Sequence, residues 1–365
     1  MENGTLQNVR TAELLLNHYQ RYPKLKAQDI FKYIFQSTYG CEHMLTNETA
    51  ALDYVNREYS SLNGKSDTSF LTERLDGEYS RVFLSSISNG LKPKTLARLF
   101  CLSAKKEKKG IEELLRKLEI AKKLVLKGKI PLNINDFDKS IKSWANMGYP
   151  AIHHSDEFRS EYSPAYRVIS NCFSAFLPLF TEIDKLEGKD RTIIAIEGGS
   201  ASGKSTLAKI LEEVYSCNVF HMDDFFLRPE QRTQERLAEI GGNIDRERFK
   251  AEILQPILEN EPINYRPFNC RTQSLGEPIN IAKNRLTVIE GVYSMHPKFE
   301  KYYDVAVFLE IDEDLQQNRI LKRNSPQLAE RFFCEWIPME NKYFSHNAIK
   351  ARASIIFSAN DAENN

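Results

Sequence analysis

Along residues 10–185, apolar positions recur at three- and four-residue spacing with few β-branched runs, the period of helices that bury one face. The clearest stripe lies in 110–128, where Ile111, Leu114, Leu115, Leu118, Ala121 and Val125 share one side. Lysines near its end and Gly128 beyond it suit a helix C-terminus. After the polar run LEGKDR at 186–191 the pattern changes to short, nearly all-apolar runs alternating with helical ones. Strands are expected at 192–196, 218–221, 286–289, 305–310 and 354–357, with helices at 204–215, 245–258 and 315–323. Strands this apolar, separated by helices, predict a five-stranded parallel sheet with helices on both faces. The predicted organisation is a mainly α-helical domain over 1–187 followed by an α/β domain over 188–365.

Composition narrows the function classes. The chain has 365 residues with 50 basic and 50 acidic side chains, which lacks the basic footprint of a nucleic-acid binder. Residues 1–185 carry 27 basic and 22 acidic residues and the remainder 23 and 28, a mild asymmetry. The six cysteines, Cys41, Cys101, Cys172, Cys217, Cys270 and Cys334, form no CxxC pair. Neither a disulfide framework nor a cysteine zinc site is expected, and a reducing compartment fits. The first 30 residues hold no apolar stretch long enough for a signal peptide or a membrane span. A cytoplasmic protein without nucleic-acid or membrane partners is therefore expected; whether it forms a homo-oligomer stays open.

The first apolar run of the second domain leads directly into EGGSASGKST, which fits G-x-x-x-x-G-K-[ST] at Gly198, Gly203, Lys204 and Ser205. This pattern, between a strand and a helix, is a phosphate loop. Glycines let consecutive backbone N–H groups turn toward a phosphate, and the following helix presents its positive end. Gly198, Gly199, Ser200, Ala201, Ser202, Gly203, Lys204, Ser205 and Thr206 are the expected nucleotide-binding residues. Lys204 would reach the β- and γ-phosphates, and the Ser205 hydroxyl would ligate Mg²⁺. ATP and Mg²⁺ are the expected cofactors.

A phosphate loop alone does not distinguish a switch from a phosphotransferase. The second strand ends at HMDDFF, residues 221–226, which puts Asp223 and Asp224 at the carboxyl end of a parallel sheet, where such sheets bind ligands. A carboxylate there can accept the proton of an attacking hydroxyl. LTVIEG places Glu290 at the end of a buried strand, suited to Mg²⁺ or its water shell. NRILKRN carries Arg319, Lys322 and Arg323 at helical spacing, able to close over a transferring phosphoryl group or to form an ordinary surface patch.

With these motifs, residues 190–357 resemble the uridine kinase-like family of P-loop kinases, which includes uridine-cytidine kinase, nicotinamide riboside kinase and, more distantly, pantothenate kinase and phosphoribulokinase. HMDDFFLRPE is similar to the nicotinamide riboside kinase stretch in which the first aspartate is the base, which implies Asp223. VIEG resembles the family's Glu-Gly strand end, RILKRN its arginine-bearing lid, and EWIPMENKYF with RASIIF its last helix and strand. The resemblance implies a phosphotransferase with an alcohol acceptor, in which Asp223, Lys204, Arg319 and Arg323 are catalytic. It weakens at the acceptor pocket. There NIDRERF offers Asp245, which also suits a helix N-cap, and Asp224, Tyr265, Asn269 and Arg271 are further contacts. The expected acceptor is a nucleoside-, riboside- or sugar-like metabolite.

The first half resembles no characterised family. QSTYGCEHML groups Cys41, Glu42 and His43, and AIHHSDEF groups His153, His154, Asp156 and Glu157; packing or surface roles are favoured over a metal site, and no metal is assigned there. YSPAYRVI presents Tyr162, Tyr166 and Arg167, read as a turn opening a core helix in preference to a ligand contact. The rival to a kinase is a nucleotide-responsive regulatory ATPase or adaptor whose helical domain binds a partner; an acceptor base argues against it, because a switch needs none.

Overall fold

The structure is a computed structural model that describes residues 2–41, 47–62, 71–104 and 110–359. Backbone contacts divide the chain after Asp184 into two compact units. Among the described residues no helix is long and apolar enough to cross a membrane.

The first unit is largely helical, with long helices at Glu2–Arg21, Ala27–Tyr39, Glu48–Ser61, Pro93–Ala104, Ile111–Leu126 and Ile134–Asn146. In Ile111–Leu126 the expected stripe is buried at Leu114, Leu118, Ala121 and Val125, but Ile111 and Leu115 lie outside it, 44% and 43% exposed. Lys117 takes an inward position, where its Nζ donates to the Ser37 carbonyl and hydroxyl and to the Asp76 carbonyl. An ammonium is tolerated inside because these acceptors replace its hydration.

The unit also contains an antiparallel sheet that the sequence pattern did not predict: β1 (Thr72–Arg74), β2 (Tyr79–Phe83) and β3 (Tyr166–Ser170), in the order β1-β2-β3. YSPAYRVI therefore runs into a strand, not a helix. Its register pairs Arg81 with Val168 and Val82 with Arg167, and β2 and β3 are buried on both faces, so no polar alternation marks them.

The second unit holds β4 (Thr192–Gly198), β5 (Asn218–His221), short strands β6 (Ile263–Tyr265), β7 (Phe268–Asn269), β8 (Ser274–Leu275) and β9 (Ile279–Ile281), then β10 (Leu286–Glu290), β11 (Val305–Glu310) and β12 (Ile355–Ser358). Five of them form a parallel sheet in the order β12-β11-β4-β10-β5, flanked by helices. β4 and β10 are buried along their whole length, as expected for apolar strands covered on both faces. The expected strand limits hold within two residues. The small pairs β6-β9 and β7-β8 form an antiparallel extension after the helical stretch 246–259, which runs as Arg246–Phe249, a π turn at Lys250–Leu254, and Gln255–Glu259. Phe220, Met222, Phe225, Phe249, Ile289 and Tyr343 belong to the core beneath the sheet's carboxyl end. Phe225 anchors the HMDDFF turn there, its ring 5.1 Å from Phe249.

Candidate active site

Parallel register sets the site. Ile196 of β4 lies opposite Glu290 of β10, which lies opposite His221 of β5, so the phosphate loop, Glu290 and the HMDD turn leave the sheet side by side. β4 sits between strands reached in opposite directions, the position at which such sheets bind ligands.

Two glycines are required by the backbone. Gly198 has φ +149°, and a Cβ on it would lie 2.4 Å from the Leu309 carbonyl oxygen of the adjacent strand. Gly291, after Glu290, has φ +136°, and its Cβ would lie 2.8 Å from Met222 Cβ. The Glu-Gly pair therefore lets the HMDD turn close against β10.

The loop's carbonyls are held from behind. Lys204 Nζ donates to the Gly198 and Gly199 carbonyls at 2.9 and 3.0 Å. Gln316 Nε2 donates to Ser200 O at 2.8 Å and Arg319 Nη1 to Ala201 O at 2.9 Å, both from the helix Glu313–Arg323. The first N–H groups of the helix Lys204–Tyr215 lack intrahelical acceptors. Ser202 is buried, and its Oγ has no hydrogen-bond partner among the described residues. A cradle only glycine fits and an orphaned buried hydroxyl suit a bound phosphate chain.

Glu290 Oε1 accepts from Ser205 Oγ at 2.9 Å and from His221 Nδ1 at 2.6 Å. Burial opposes ionisation of Glu290, but these hydrogen bonds and the charge of Lys204 outweigh it and hold the carboxyl below its usual range. Hydroxyl and carboxylate thus meet, the oxygen donors that suit Mg²⁺. Among the described residues no three His, Cys, Asp or Glu side chains are grouped to hold a metal. A Mg²⁺ ion bound through nucleotide phosphates needs fewer protein ligands.

Asp223, in the turn Met222–Phe225, is open to solvent, and its carboxylate makes no hydrogen bond among the described residues. Protein packed around it still removes part of its hydration. This, with the negative charge of Glu290, raises its pKa against the opposing charges of Lys204, His221 and Arg323. Asp224 points elsewhere: its Oδ2 accepts from Tyr265 Oη at 3.1 Å. Burial, foremost, and the charge of Asp223 raise it too. The adjacent aspartates have different partners.

Other expected site residues lie as follows. Arg323 is exposed, with its guanidinium 5.7 Å from the Phe332 ring and its charge felt at Asp223. Thr206 is exposed at the helix start. Asp245 is buried; its Oδ1 caps the helix by accepting from Arg248 N, and its Oδ2 accepts from Gln231 Nε2. Both oxygens are thus engaged, and the cap reading is the one the geometry realises. Arg271 is exposed in the β7-β8 turn, where its backbone N–H donates to Asn269 Oδ1. In the first unit, Glu42 and His43 fall outside the described residues, Cys41 is buried, and His154 is bonded to Asp29 and Tyr166.

Three functional neighbours escaped sequence reading. His221 stands one residue before the turn, and only the β5-β10 register shows its contact with Glu290. Glu197 is fully buried beneath the loop and accepts from Gly198 N, Met295 N and Tyr343 Oη; burial raises its pKa to about 8 despite those bonds. Glu340, 140 residues beyond the loop, accepts from Ser200 N at 2.8 Å and Ser200 Oγ at 2.6 Å. It ties the helix Ile337–His346 to the phosphate loop.

Among solved structures, a possible uridine kinase from Bacillus stearothermophilus aligns at 19% identity, TM-score 0.40, over 51% of this chain and 98% of that one. Shikimate kinase from Bacteroides thetaiotaomicron aligns at 17% identity, TM-score 0.26, over 46% and 86%. No curated protein matches. Residues 193–329, from the first sheet strand past the arginine-bearing helix, match the phosphoribulokinase / uridine kinase family, and the unit that contains them is similar to the P-loop kinases of that family over this segment.

Proposed function

We propose that the second unit transfers the γ-phosphoryl group of ATP to a hydroxyl of a small nucleoside-, riboside- or sugar-like metabolite. The observation that carries this reading is Asp223: a solvent-open carboxylate with no internal hydrogen bond, held within the fields of Lys204, Glu290 and Arg323. A structural carboxylate would be bonded; this one is free to take an acceptor hydroxyl.

Asp223 orients that hydroxyl and takes its proton, and its raised pKa keeps it basic enough to do so near neutral pH. Lys204 leaves its two loop carbonyls for the β- and γ-phosphates, and Arg319 and Arg323 offset charge on the transferring group. Ser205 and Glu290 would hold Mg²⁺, which would supply neutralisation of phosphate charge when bound. His221 fixes the Glu290 carboxylate through its Nδ1. Tyr265 and Asp224 form one wall of the acceptor site.

ADP release with ATP and Mg²⁺ across nucleosides, ribosides, sugars and hydroxylated cofactor precursors tests the reading. An acceptor that stimulates release at least tenfold supports it. Hydrolysis indifferent to every acceptor and to Asp223→Asn supports a regulatory ATPase instead.

A further inference from the structure

Residues Gly199–Ser202 form a tight turn inside the phosphate loop, in which Ser202 N donates to Gly199 O at 3.1 Å. The third residue of the turn, Ala201, has φ +64°. This is the left-handed region, which favours glycine because a Cβ there crowds the neighbouring carbonyl. Alanine held in it costs free energy, and such a conformer persists only where its surroundings over-determine it. Ala201 and then Gly203, at φ +102°, are left-handed with Ser202 between them, the alternation that turns consecutive N–H groups toward an anion.

The surroundings of this turn are specific. Glu340 Oε2 accepts from Ser200 N at 2.8 Å and its Oε1 from Ser200 Oγ at 2.6 Å. From the other helix, Gln316 Nε2 donates to Ser200 O at 2.8 Å and Arg319 Nη1 to Ala201 O at 2.9 Å. The three side chains thus hold the successive peptide units 199–200, 200–201 and 201–202, whose relative orientations are the φ and ψ of Ser200 and Ala201. Glu340 is the part supplied from far along the chain, and it is buried. Burial raises its pKa against the pull of the Ser200 bonds and of Lys204. Keeping a carboxylate inside carries a desolvation cost that an apolar side chain at this position would not incur.

We infer that Glu340 is a positioning residue for nucleotide binding: it fixes the 199–200 peptide and the Ser200 hydroxyl from the helix Ile337–His346, and so pre-forms the left-handed turn at Ala201. Without Glu340 the loop relaxes, and a nucleotide must restore the turn as it binds, which lowers its affinity by the fraction of loops already in the competent form. Glycine at position 201 adopts the left-handed conformer without steric cost, so the dependence on Glu340 falls away in that background. This role rests on the proposed nucleotide site and is separate from the transfer step.

Calorimetric titration of the full chain with ADP and Mg²⁺ tests this in the native protein, Glu340→Ala, Ala201→Gly and the double variant. Glu340→Ala should weaken ADP binding about tenfold or more, whereas in the Ala201→Gly background the same change should weaken it no more than about threefold. Glu340→Gln keeps the shape of the side chain and one acceptor oxygen, and serves where the alanine variant does not fold. It should weaken binding about threefold or more, again relieved by Ala201→Gly. Equal losses with alanine and with glycine at 201 would mark Glu340 as a mere support of its helix and overturn the inference, as would ADP affinity indifferent to both Glu340 substitutions. A native protein that does not bind ADP would instead overturn the nucleotide site, and this role with it.

Discussion

Asp223→Asn separates nucleotide binding from chemistry. Asn has nearly the same shape, and the lost carboxylate makes no hydrogen bond among the described residues, so folding should change by no more than about 0.5 kcal/mol. Nucleotide affinity should hold or rise slightly, because a negative charge near Lys204 and the phosphates is removed. Turnover should fall by about 10² or more, the lower end of what a positioned general base supplies. That loss corresponds to about 2.7 kcal/mol of activation free energy. Stopped-flow nucleotide titration and coupled ADP release, run on the stimulating acceptor, separate the two effects. The pH profile adds an independent sign. The base works deprotonated and its pKa is raised, so kcat/KM of the native protein should fall as pH drops through that raised value, and Asp223→Asn should lack this limb. Full turnover in the variant, or loss of nucleotide binding in step with turnover, would refute the assignment.

Glu290→Gln should raise the Mg²⁺ concentration for half-maximal activity by about 10-fold or more, and EDTA should abolish ADP release in either protein. Gly198→Ala should eliminate nucleotide binding, since its Cβ has no room against Leu309; Gly203→Ala, with open space but φ +102°, should cost only about 1–3 kcal/mol, both read by urea unfolding and nucleotide titration. Glu73→Gln should destabilise the chain by about 3–5 kcal/mol by leaving Arg81 buried without its carboxylate. Burial opposes ionisation of Glu73, but His18 and Arg81 more than offset it and depress its pKa to about 2. Its stabilisation is therefore complete above about pH 4.5 and lost as pH falls toward 2, a dependence the Gln variant should lack in urea midpoints.

What was legible in the sequence was local. The apolar runs of the parallel sheet, the glycine-lysine loop and the acids at strand ends each occupy a few consecutive residues. Strand register then brings Glu290, Ser205 and the HMDD turn together. What was illegible depends on distant pairing. β2 and β3 meet across some ninety residues and bury Arg81 and Arg167 as readily as Val82 and Val168, which hides their alternation. Glu340 reaches Ser200 from 140 residues away, and nothing in IPMENKYF separates it from an ordinary helical acid. Asp245 illustrates the opposite hazard. A carboxylate beside a helix start fits both pocket and cap, and Gln231, fourteen residues upstream, takes the oxygen that the cap leaves over.

The central claim is a transfer to an organic hydroxyl with Asp223 as base. Label tracing from [γ-³²P]ATP with the stimulating acceptor tests it most directly: the native protein should place the label on the acceptor in step with ADP formed, and Asp223→Asn should place almost none there. Release of the label as inorganic phosphate at the same rate in both proteins would contradict it.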